Sequence, residues 1–279
     1  MNLKFNHFLI TRINLGYKER ILNKNIDEQK WLNYRFDLFF KTCFPSVVNQ
    51  NCQNFTWLIY LDFRTPDFFV NQLQTKISSN QNFKILLRNG GFESLTTHAP
   101  EDIKNLIDKD CPYIITSRID SDDLIHREYI DEVQSKFDFQ KYLSINFTFG
   151  LVHDLRTGLL GKSKNRSNPF ISLIEKIESN IPIKTVCFQS HTDFLFEEKR
   201  LEITSKKRLW CMNMHAVNDS TKFAGLPVFF FPPGLVSDFS FKFINKASLS
   251  EKISYSIKYF KRQSKKIPKL ILKKIKSNG

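Results

Sequence analysis

The stretch Tyr113-Ile114-Ile115-Thr116-Ser117-Arg118-Ile119-Asp120-Ser121-Asp122-Asp123 decides the fold and points to the chemistry. Its first part is a short apolar run that is typical of a buried β-strand. Three carboxylates come next within four residues, and their mutual repulsion would raise their pKa values unless a counter-charge were present. A divalent cation supplies such a charge, and carboxylate oxygens are ligands that Mg²⁺ and Mn²⁺ prefer. We therefore expect a metal site at Asp120, Asp122 and Asp123.

Other interpretations of the same acids depend on the residues after Asp123. A calcium-binding helix-loop-helix would need Gly at the sixth loop position, where Ile125 stands. A phosphatase with an aspartate nucleophile usually continues with Thr or Val, whereas Leu124 stands here. A solvated acidic turn before a helix starting near His126, with Asp123 as its N-cap, is the remaining alternative.

Three more apolar runs, at residues 7–11, 55–61 and 83–87, are predicted to be strands. A helical pattern lies between the first two, with Asp27 as N-cap and Pro45 as stop, and weaker helices are expected at 67–78 and 100–107. This alternation predicts an α/β fold with a mostly parallel central sheet flanked by helices.

Charged residues stand at the carboxyl ends of these four strands. They are Arg12, Asp62, Arg88 and Asp120. Ligands of such sheets bind beyond the carboxyl ends of the strands, where the loops gather. Strands also end at polar residues simply because they reach solvent, but that does not explain the acids after Asp120.

The second half continues the same domain rather than starting another. Residues 142–155 and the turn at 156–158 predict a β-ribbon. We expect helices at 168–177, with Pro169 in the first turn, and at 191–198, and a strand at 209–217.

The net charge of +14 is concentrated at one end of the chain. Residues 242–279 contain twelve Lys or Arg and one acid, a net +11, so about +3 remains for the rest. We therefore divide the chain into a body, 1–241, and a basic tail, 242–279. A nearly neutral body argues against a specific nucleic-acid surface.

The tail is predicted to be an amphipathic helix. Ser248 and Glu251 have the spacing of a capping box. The apolar residues beyond it at helical spacings are Leu249, Ile253, Ile257 and Phe260, and further on Pro268, Leu270, Ile271 and Ile275. Such stripes flanked by Lys are typical of helices that lie on an anionic membrane surface. A disordered solubilising tail, or one that binds nucleic acid nonspecifically, is the alternative.

Composition excludes some classes of protein. No stretch approaches the roughly 20 apolar residues of a membrane span, and the first residues do not resemble a secretory signal. The five cysteines are scattered, with no C-x-x-C pair, which favours a reducing cytoplasm over a disulfide framework.

A series of short motifs runs through most of the body. They are Asn6-His7-Phe8-Leu9-Ile10-Thr11-Arg12, Cys43-Phe44-Pro45-Ser46-Val47 with Gln50, Phe55-Thr56-Trp57 with Asp62, Thr65-Pro66, Ser117 to Asp123, Asn168-Pro169-Phe170, and His215 with Asn218. In these motifs the sequence resembles the bacterial rhamnosyltransferase family of GT-A-like fold, over roughly residues 5–220. Their order and spacing make the match more specific than any single motif.

The resemblance implies a GT-A-like domain that binds a nucleotide-sugar donor with its first half. It implies that Asp62 holds the base or ribose, with Arg12 beside it, and that Asp120, Asp122 and Asp123 are the metal motif. We also expect Arg88, Arg118 and Asp120 to contact the donor. It implies that His215 completes the metal shell or touches the diphosphate, although a packed strand histidine is the alternative.

Transfer to an acceptor hydroxyl needs a general base. Asp193 stands near the place where this fold usually has its base, and three other acids after the metal motif compete with it: Asp154, Glu197 and Glu198. His191 is a candidate for orienting the acceptor instead.

We therefore expect a metal-dependent glycosyltransferase that uses Mn²⁺ or Mg²⁺. It would move a sugar, with rhamnose as the family's assignment, to a glycan or glycolipid acceptor of the bacterial surface. The expected location is cytoplasmic, on the inner face of the cytoplasmic membrane. The alternatives are a metal-dependent phosphoryl-transfer enzyme or nuclease, and a noncatalytic membrane-associated scaffold.

Overall fold

The computed structural model describes residues 4–108, 110–205, 207–215, 223–231, 233–242 and 247–277. In the last range it describes the side chains through Arg262 and that of Ser264.

The described residues form strands and helices in an alternating order. The strands are β1 (Asn6–Arg12), β2 (Thr56–Asp62), β3 (Phe83–Arg88), β4 (Tyr113–Arg118), β5 (Leu124–Ile125), β6 (Tyr142–Phe147), β7 (Phe149–Asp154), β8 (Leu159–Lys164), β9 (Ile171–Lys176), β10 (Arg200–Ile203), β11 (Trp210–Met214) and β12 (Leu226–Pro227). The α-helices are α1 (Tyr17–Lys24), α2 (Glu28–Lys41), α3 (Cys43–Val48), α4 (Asp67–Ile77), α5 (Leu95–Leu106), α6 (Tyr129–Gln134), α7 (Leu235–Phe239) and α8 (Leu249–Ser277). Short 3₁₀ turns occupy Phe92–Ser94 and Asp193–Phe196.

The central sheet has seven strands in the order β10-β6-β9-β4-β1-β2-β3. Strand β1 is parallel to β2 and β4, β2 is parallel to β3, and β6 is parallel to β10. Only β9 is antiparallel to its neighbours, β4 and β6. A second sheet of five strands has the order β12-β8-β7-β11-β5.

Helices cover both faces of the central sheet. One core cluster joins α2 and α4 to the sheet: the ring of Phe36 in α2 packs on that of Phe69 in α4, and the ring of Phe39 in α2 packs on that of Trp57 in β2. The other joins α5 to it through residues such as Leu95 and Ile103. The predicted α/β class, with a mostly parallel sheet flanked by helices, is confirmed.

The first half matches the sequence predictions closely. All four predicted strands are present, and the carboxyl of Asp27 caps α2 by accepting from the backbone N–H of Lys30 at 2.8 Å. The prediction that Pro45 stops this helix is wrong, because α2 ends at Lys41 and Pro45 lies inside α3.

The helix predicted at 168–177 is also wrong. These residues contain β9, which lies between β4 and β6 with five of its six residues buried. A strand buried on both faces shows no polar alternation, so periodicity cannot distinguish it from a buried helix.

The helix predicted at 191–198 is only a 3₁₀ turn, Asp193–Phe196. The other two predictions for the second half are confirmed. Strands β7 and β8 form the expected antiparallel hairpin, with Gly158 at φ 71° in its turn. Strand β11 corresponds to the strand predicted at 209–217, of which 216–217 lie outside the described residues, as does Asn218.

The tail begins as predicted. Ser248 and Glu251 form the capping box, since the N–H of Ser248 donates to Glu251 Oε2 at 2.8 Å, and α8 packs against β12. The side chains of Pro268, Leu270, Ile271 and Ile275 lie outside the described residues. Within the part of the chain described, no helix is long and apolar enough to cross a membrane.

Candidate active site

The three acids after β4 have different surroundings. Asp120 and Asp122 are half-buried, whereas Asp123 is 3% exposed. Asp123 Oδ1 accepts a hydrogen bond from the backbone N–H of Asn213 at 2.8 Å. Burial, together with the charges of Asp122 and Asp120, raises the pKa of Asp123 well above its usual value. Asp123 therefore attaches the turn to β11, and Asp120 and Asp122 are the acids that reach the site.

Asp122 is bound from two sides. His215 Nε2 lies 2.8 Å from Asp122 Oδ2, and Arg35 Nη1 lies 3.6 Å from the same oxygen. Arg35 also donates to Ser121 Oγ at 2.6 Å. Burial alone would raise the pKa of Asp122, but the charge of Arg35 and the hydrogen bond to His215 outweigh it and lower the pKa to about 2. Asp122 is therefore an ionised acid near neutral pH.

The donor chemistry at this turn suits a hard cation. Two half-buried carboxylates, Asp120 and Asp122, offer the oxygens that Mg²⁺ and Mn²⁺ prefer. Among the described residues, however, no group of three or more His, Cys, Asp or Glu side chains is arranged to hold a metal. Asp123 is directed to Asn213, and His215 contacts Asp122.

Two arginines at neighbouring strand ends share one aromatic ring. The guanidinium carbon of Arg12 lies 5.0 Å from the centroid of Phe92, and that of Arg118 lies 4.9 Å from the same centroid. Strands β1 and β4 are adjacent, and the N–H of Ile119 donates to the Ile10 carbonyl at 3.0 Å. Both guanidinium groups thus lie against the same phenyl ring.

These arginines retain buried donors without partners. Arg118 is 7% exposed, and its Nη1 has no hydrogen-bond partner among the described residues, nor has Nε of Arg12. An unpartnered buried donor costs free energy, and an anionic ligand would remove that cost. Arginine pairs carboxylate and phosphate oxygens in two-pronged geometry.

The positive charge extends to the other side of the turn. Burial, together with the charges of Arg35 and Arg12, lowers the pKa of Arg20, while Asp122 opposes the shift. Arg35 pairs with Asp122, and three further arginines contribute positive charge to the region of the turn: Arg12, Arg20 and Arg118. Such an excess of cations favours an anionic ligand.

Two other predicted residues are held by partners within the protein. Asp62 is fully buried and accepts from the N–H of Gly16 at 3.0 Å and from Arg64 Nε at 2.9 Å. Arg88 forms an ion pair with Asp102 of α5. Both stand at strand ends as expected, but each would have to leave its partner to bind a donor. Asp62 also fixes the loop that precedes α1, because Gly16 begins that helix.

The candidate base is near the same cluster. Asp193 is exposed at the start of a 3₁₀ turn. Burial and then the charge of Arg118 lower the pKa of the half-buried His191, while Asp120 and Asp193 raise it. His191 is therefore within electrostatic reach of Arg118 and Asp120 on one side and of Asp193 on the other.

Three residues of this site were not predicted from the sequence: Arg20, Arg35 and Phe92. Arg35 carried a signal, since it shares a helix face with Trp31 and Leu38, and a charged residue on a buried face needs a partner. Phe92 lies in a short 3₁₀ turn and carries no comparable signal.

A protein-family model matches most of the chain. The family described as "Putative rhamnosyl transferase" matches residues 17–225. No curated protein matches the chain.

Some solved structures are similar at low identity. S. aureus TarS 1-349 in complex with UDP is 12% identical and has a TM-score of 0.45, covering 76% of this chain and 61% of that one. S. aureus TarS 1-349 is 10% identical, with a TM-score of 0.42 and coverage of 75% and 60%. S. aureus TarS is 12% identical, with a TM-score of 0.43 and coverage of 76% and 37%. The chain thus spans about three fifths or less of the length of these three structures.

Proposed function

Because the chain belongs to the Putative rhamnosyl transferase family, and is therefore a glycosyltransferase, we propose that it takes its sugar from a nucleotide-sugar donor. Rhamnose is the sugar that the family's description suggests. The acceptor would be a glycan or glycolipid of the bacterial surface.

One observation carries the donor site: Arg12 and Arg118 lie over the same ring of Phe92 with unpartnered buried donors. A nucleoside diphosphate presents two phosphates, which match two adjacent guanidinium groups. The charge of the diphosphate grows as the sugar leaves. Arginines that are already in position stabilise that charge without further reorganisation.

The acidic turn supplies the second part of the site. We propose that Asp120 and Asp122 hold Mn²⁺ or Mg²⁺, which when bound would neutralise the leaving diphosphate. His215 would orient Asp122 through its 2.8 Å contact, as the outer partners of metal ligands commonly do. Asp123 fixes the turn by accepting a hydrogen bond from the backbone N–H of Asn213.

The acceptor hydroxyl must lose a proton as it attacks. We propose Asp193 for this role because it is exposed and its charge acts on His191, which also senses Arg118 and Asp120. His191 would then orient the acceptor between the base and the donor.

The basic tail suggests where the acceptor lies. Exposed apolar residues on α8, flanked by Lys and Arg, are typical of a helix on an anionic membrane surface. We propose that α8 holds the enzyme at the inner face of the cytoplasmic membrane.

A thermal-shift panel tests the donor assignment. Nucleoside diphosphates and nucleotide sugars, with and without Mn²⁺, should raise the melting temperature, because ligands that bind only the folded state stabilise it. Inorganic phosphate and single-stranded DNA are the controls. Stabilisation by DNA alone would favour the phosphoryl-transfer alternative, and no response to any nucleotide would favour the noncatalytic scaffold.

A further inference from the structure

Two phenylalanines beyond β12 project from the body. Phe229 is 41% exposed and Phe230 is 89% exposed. They belong to residues 228–231, which we call the phenylalanine loop. Val236 of α7, nearby in the chain, is 53% exposed. Adjacent exposed aromatic side chains commonly mark a surface that binds an apolar partner.

The first turns of α8 carry an exposed apolar stripe. Leu249, Ile253, Ile257 and Phe260 are 65%, 46%, 51% and 60% exposed. Their spacings of four, four and three place them along one side of the helix. No helix or strand of the described residues packs over this stripe.

Residues of α8 outside the stripe attach this helix to the body beside the loop. Lys252 Nζ donates to the Phe229 carbonyl at 2.9 Å and lies 5.7 Å from the ring centroid of Phe231. Tyr255, one turn further on, packs its ring 5.5 Å from that of Phe223. Lys252 itself is 9% exposed, so α8 is attached beside the loop.

Cations surround this apolar surface. Lys258, Lys261 and Arg262 are exposed on α8. A cavity of about 320 Å³ next to the loop is lined by Val228 and Pro233, and the charged side chains at its wall are Lys162, Arg208 and Asp238. Apolar side chains flanked by cations match an anionic bilayer, with acyl chains below and phosphate groups above. A second copy would bring like charges together.

We propose that the phenylalanine loop and the α8 stripe form one surface that docks on a bilayer containing anionic lipid. The body thereby contributes a membrane contact of its own, beside that of the tail. This inference rests on the proposed membrane location. Docking through both elements would fix the rotation of the enzyme on the bilayer, because contacts from two elements define an orientation that contacts from one helix would not.

Tryptophan fluorescence tests the loop directly in the full chain. The native Trp31, Trp57 and Trp210 are 5%, 0% and 0% exposed, so a new exposed tryptophan dominates any change. With vesicles of phosphatidylglycerol and phosphatidylcholine, the emission of Phe230→Trp should shift to the blue and be quenched by brominated acyl chains. Phe68→Trp, at a position 65% exposed in α4, is the matched control and should change little.

Vesicle flotation of point variants measures separately how much the loop and the tail contribute to membrane binding. Phe229→Ser with Phe230→Ser should lower the vesicle partition coefficient about tenfold or more, the scale of burying an apolar side chain. Ile253→Ser with Ile257→Ser should lower it similarly. All variants should keep the wild-type melting temperature.

Three results would overturn the inference. If the tail variant loses binding while the introduced tryptophan of Phe230→Trp stays unquenched, the loop makes no contact and only the tail proposal stands. If the wild type does not float even at low salt, the membrane location fails, and the inference fails with it. If the emission of Phe230→Trp shifts to the blue with rising protein concentration alone, the surface binds a second copy.

Discussion

His215 Nε2 lies 2.8 Å from Asp122 Oδ2, so the residue after β11 of the second sheet contacts the acidic turn after β4 of the central sheet. The two sheets therefore meet at the candidate site. Ring contact between Tyr34 and His215, at 5.5 Å between centroids, joins α2 to the same point. Substitutions on either side of this contact, at Asp122 or at His215, should consequently alter the same step of catalysis.

We expect Asp122→Asn to lower turnover by about 10²-fold or more, the scale of losing a group that stabilises developing charge. The fold should survive, since Asp122 is half-buried and the core is unchanged. Steady-state transfer at fixed Mn²⁺, with a melting curve, measures both. Asp131→Asn, an exposed acid of α6, is the control, and turnover of Asp122→Asn at the wild-type rate would remove the acidic turn from the mechanism.

His215→Ala should weaken activity or Mn²⁺ affinity by about 10–100-fold, as loss of an outer partner of a metal ligand commonly does. The Mn²⁺ concentration giving half-maximal activity measures this effect. An unchanged value with normal turnover would make His215 a packing residue.

Asp62 should contribute to stability in a pH-dependent way. Burial raises its pKa, but hydrogen bonds and charge from Arg64, and the N–H of Gly16, outweigh this and lower it. An acid with a lowered folded-state pKa stabilises the protein above its unfolded pKa of about 3.9, and this stability is lost as pH falls through the folded value. Asp62→Asn should lower the free energy of unfolding by about 1–3 kcal/mol at neutral pH. The variant should then lose less stability than the wild type as the pH falls.

Asp154→Asn is the matched control for this variant. Asp154 pairs with Arg156 two residues on, as Asp62 pairs with Arg64, and its pKa is also lowered by these contacts in spite of burial. Both variants should lose stability in urea unfolding. Only Asp62→Asn should also weaken nucleotide binding, because only Asp62 fixes the Gly16 loop. Equal nucleotide affinity in both variants would limit Asp62 to a role in folding.

Asp193→Asn should lower turnover by about 10²-fold or more while donor affinity stays unchanged, because a general base acts on the acceptor in the transition state. His191→Asn is the comparison, and it should mainly raise the acceptor KM. If the turnover loss occurs in His191→Asn and not in Asp193→Asn, the base is His191.

The sequence predicted the first half of the fold well because its parallel strands are short apolar runs with charged ends. The same rule placed Arg12 and Asp120 at one edge of the sheet, where β1 and β4 are adjacent. It could not distinguish charged residues that face a ligand from those paired internally, such as Asp62 with Arg64. Pairing depends on side-chain directions that periodicity does not encode.

The second half was harder to predict because long-range pairing decides it. Strand β9 is antiparallel between two strands that lie before it in the chain, and no local signal specifies that insertion. Likewise, Arg35 reaches Ser121 across 86 positions of sequence. Such contacts become visible only when α2 is packed on the sheet.

Arg12 and Arg118 are proposed to hold the donor diphosphate beside Asp120 and Asp122. Calorimetry of nucleoside diphosphate binding to wild type and Arg118→Met measures this directly. We expect wild-type binding that strengthens with Mn²⁺, and a loss of about 1.5–3 kcal/mol in the variant, the scale of a hydrogen bond to a charged group. Arg127→Met, an exposed arginine paired with Asp238, should bind as wild type does. Equal affinity of wild type and Arg118→Met would contradict the account.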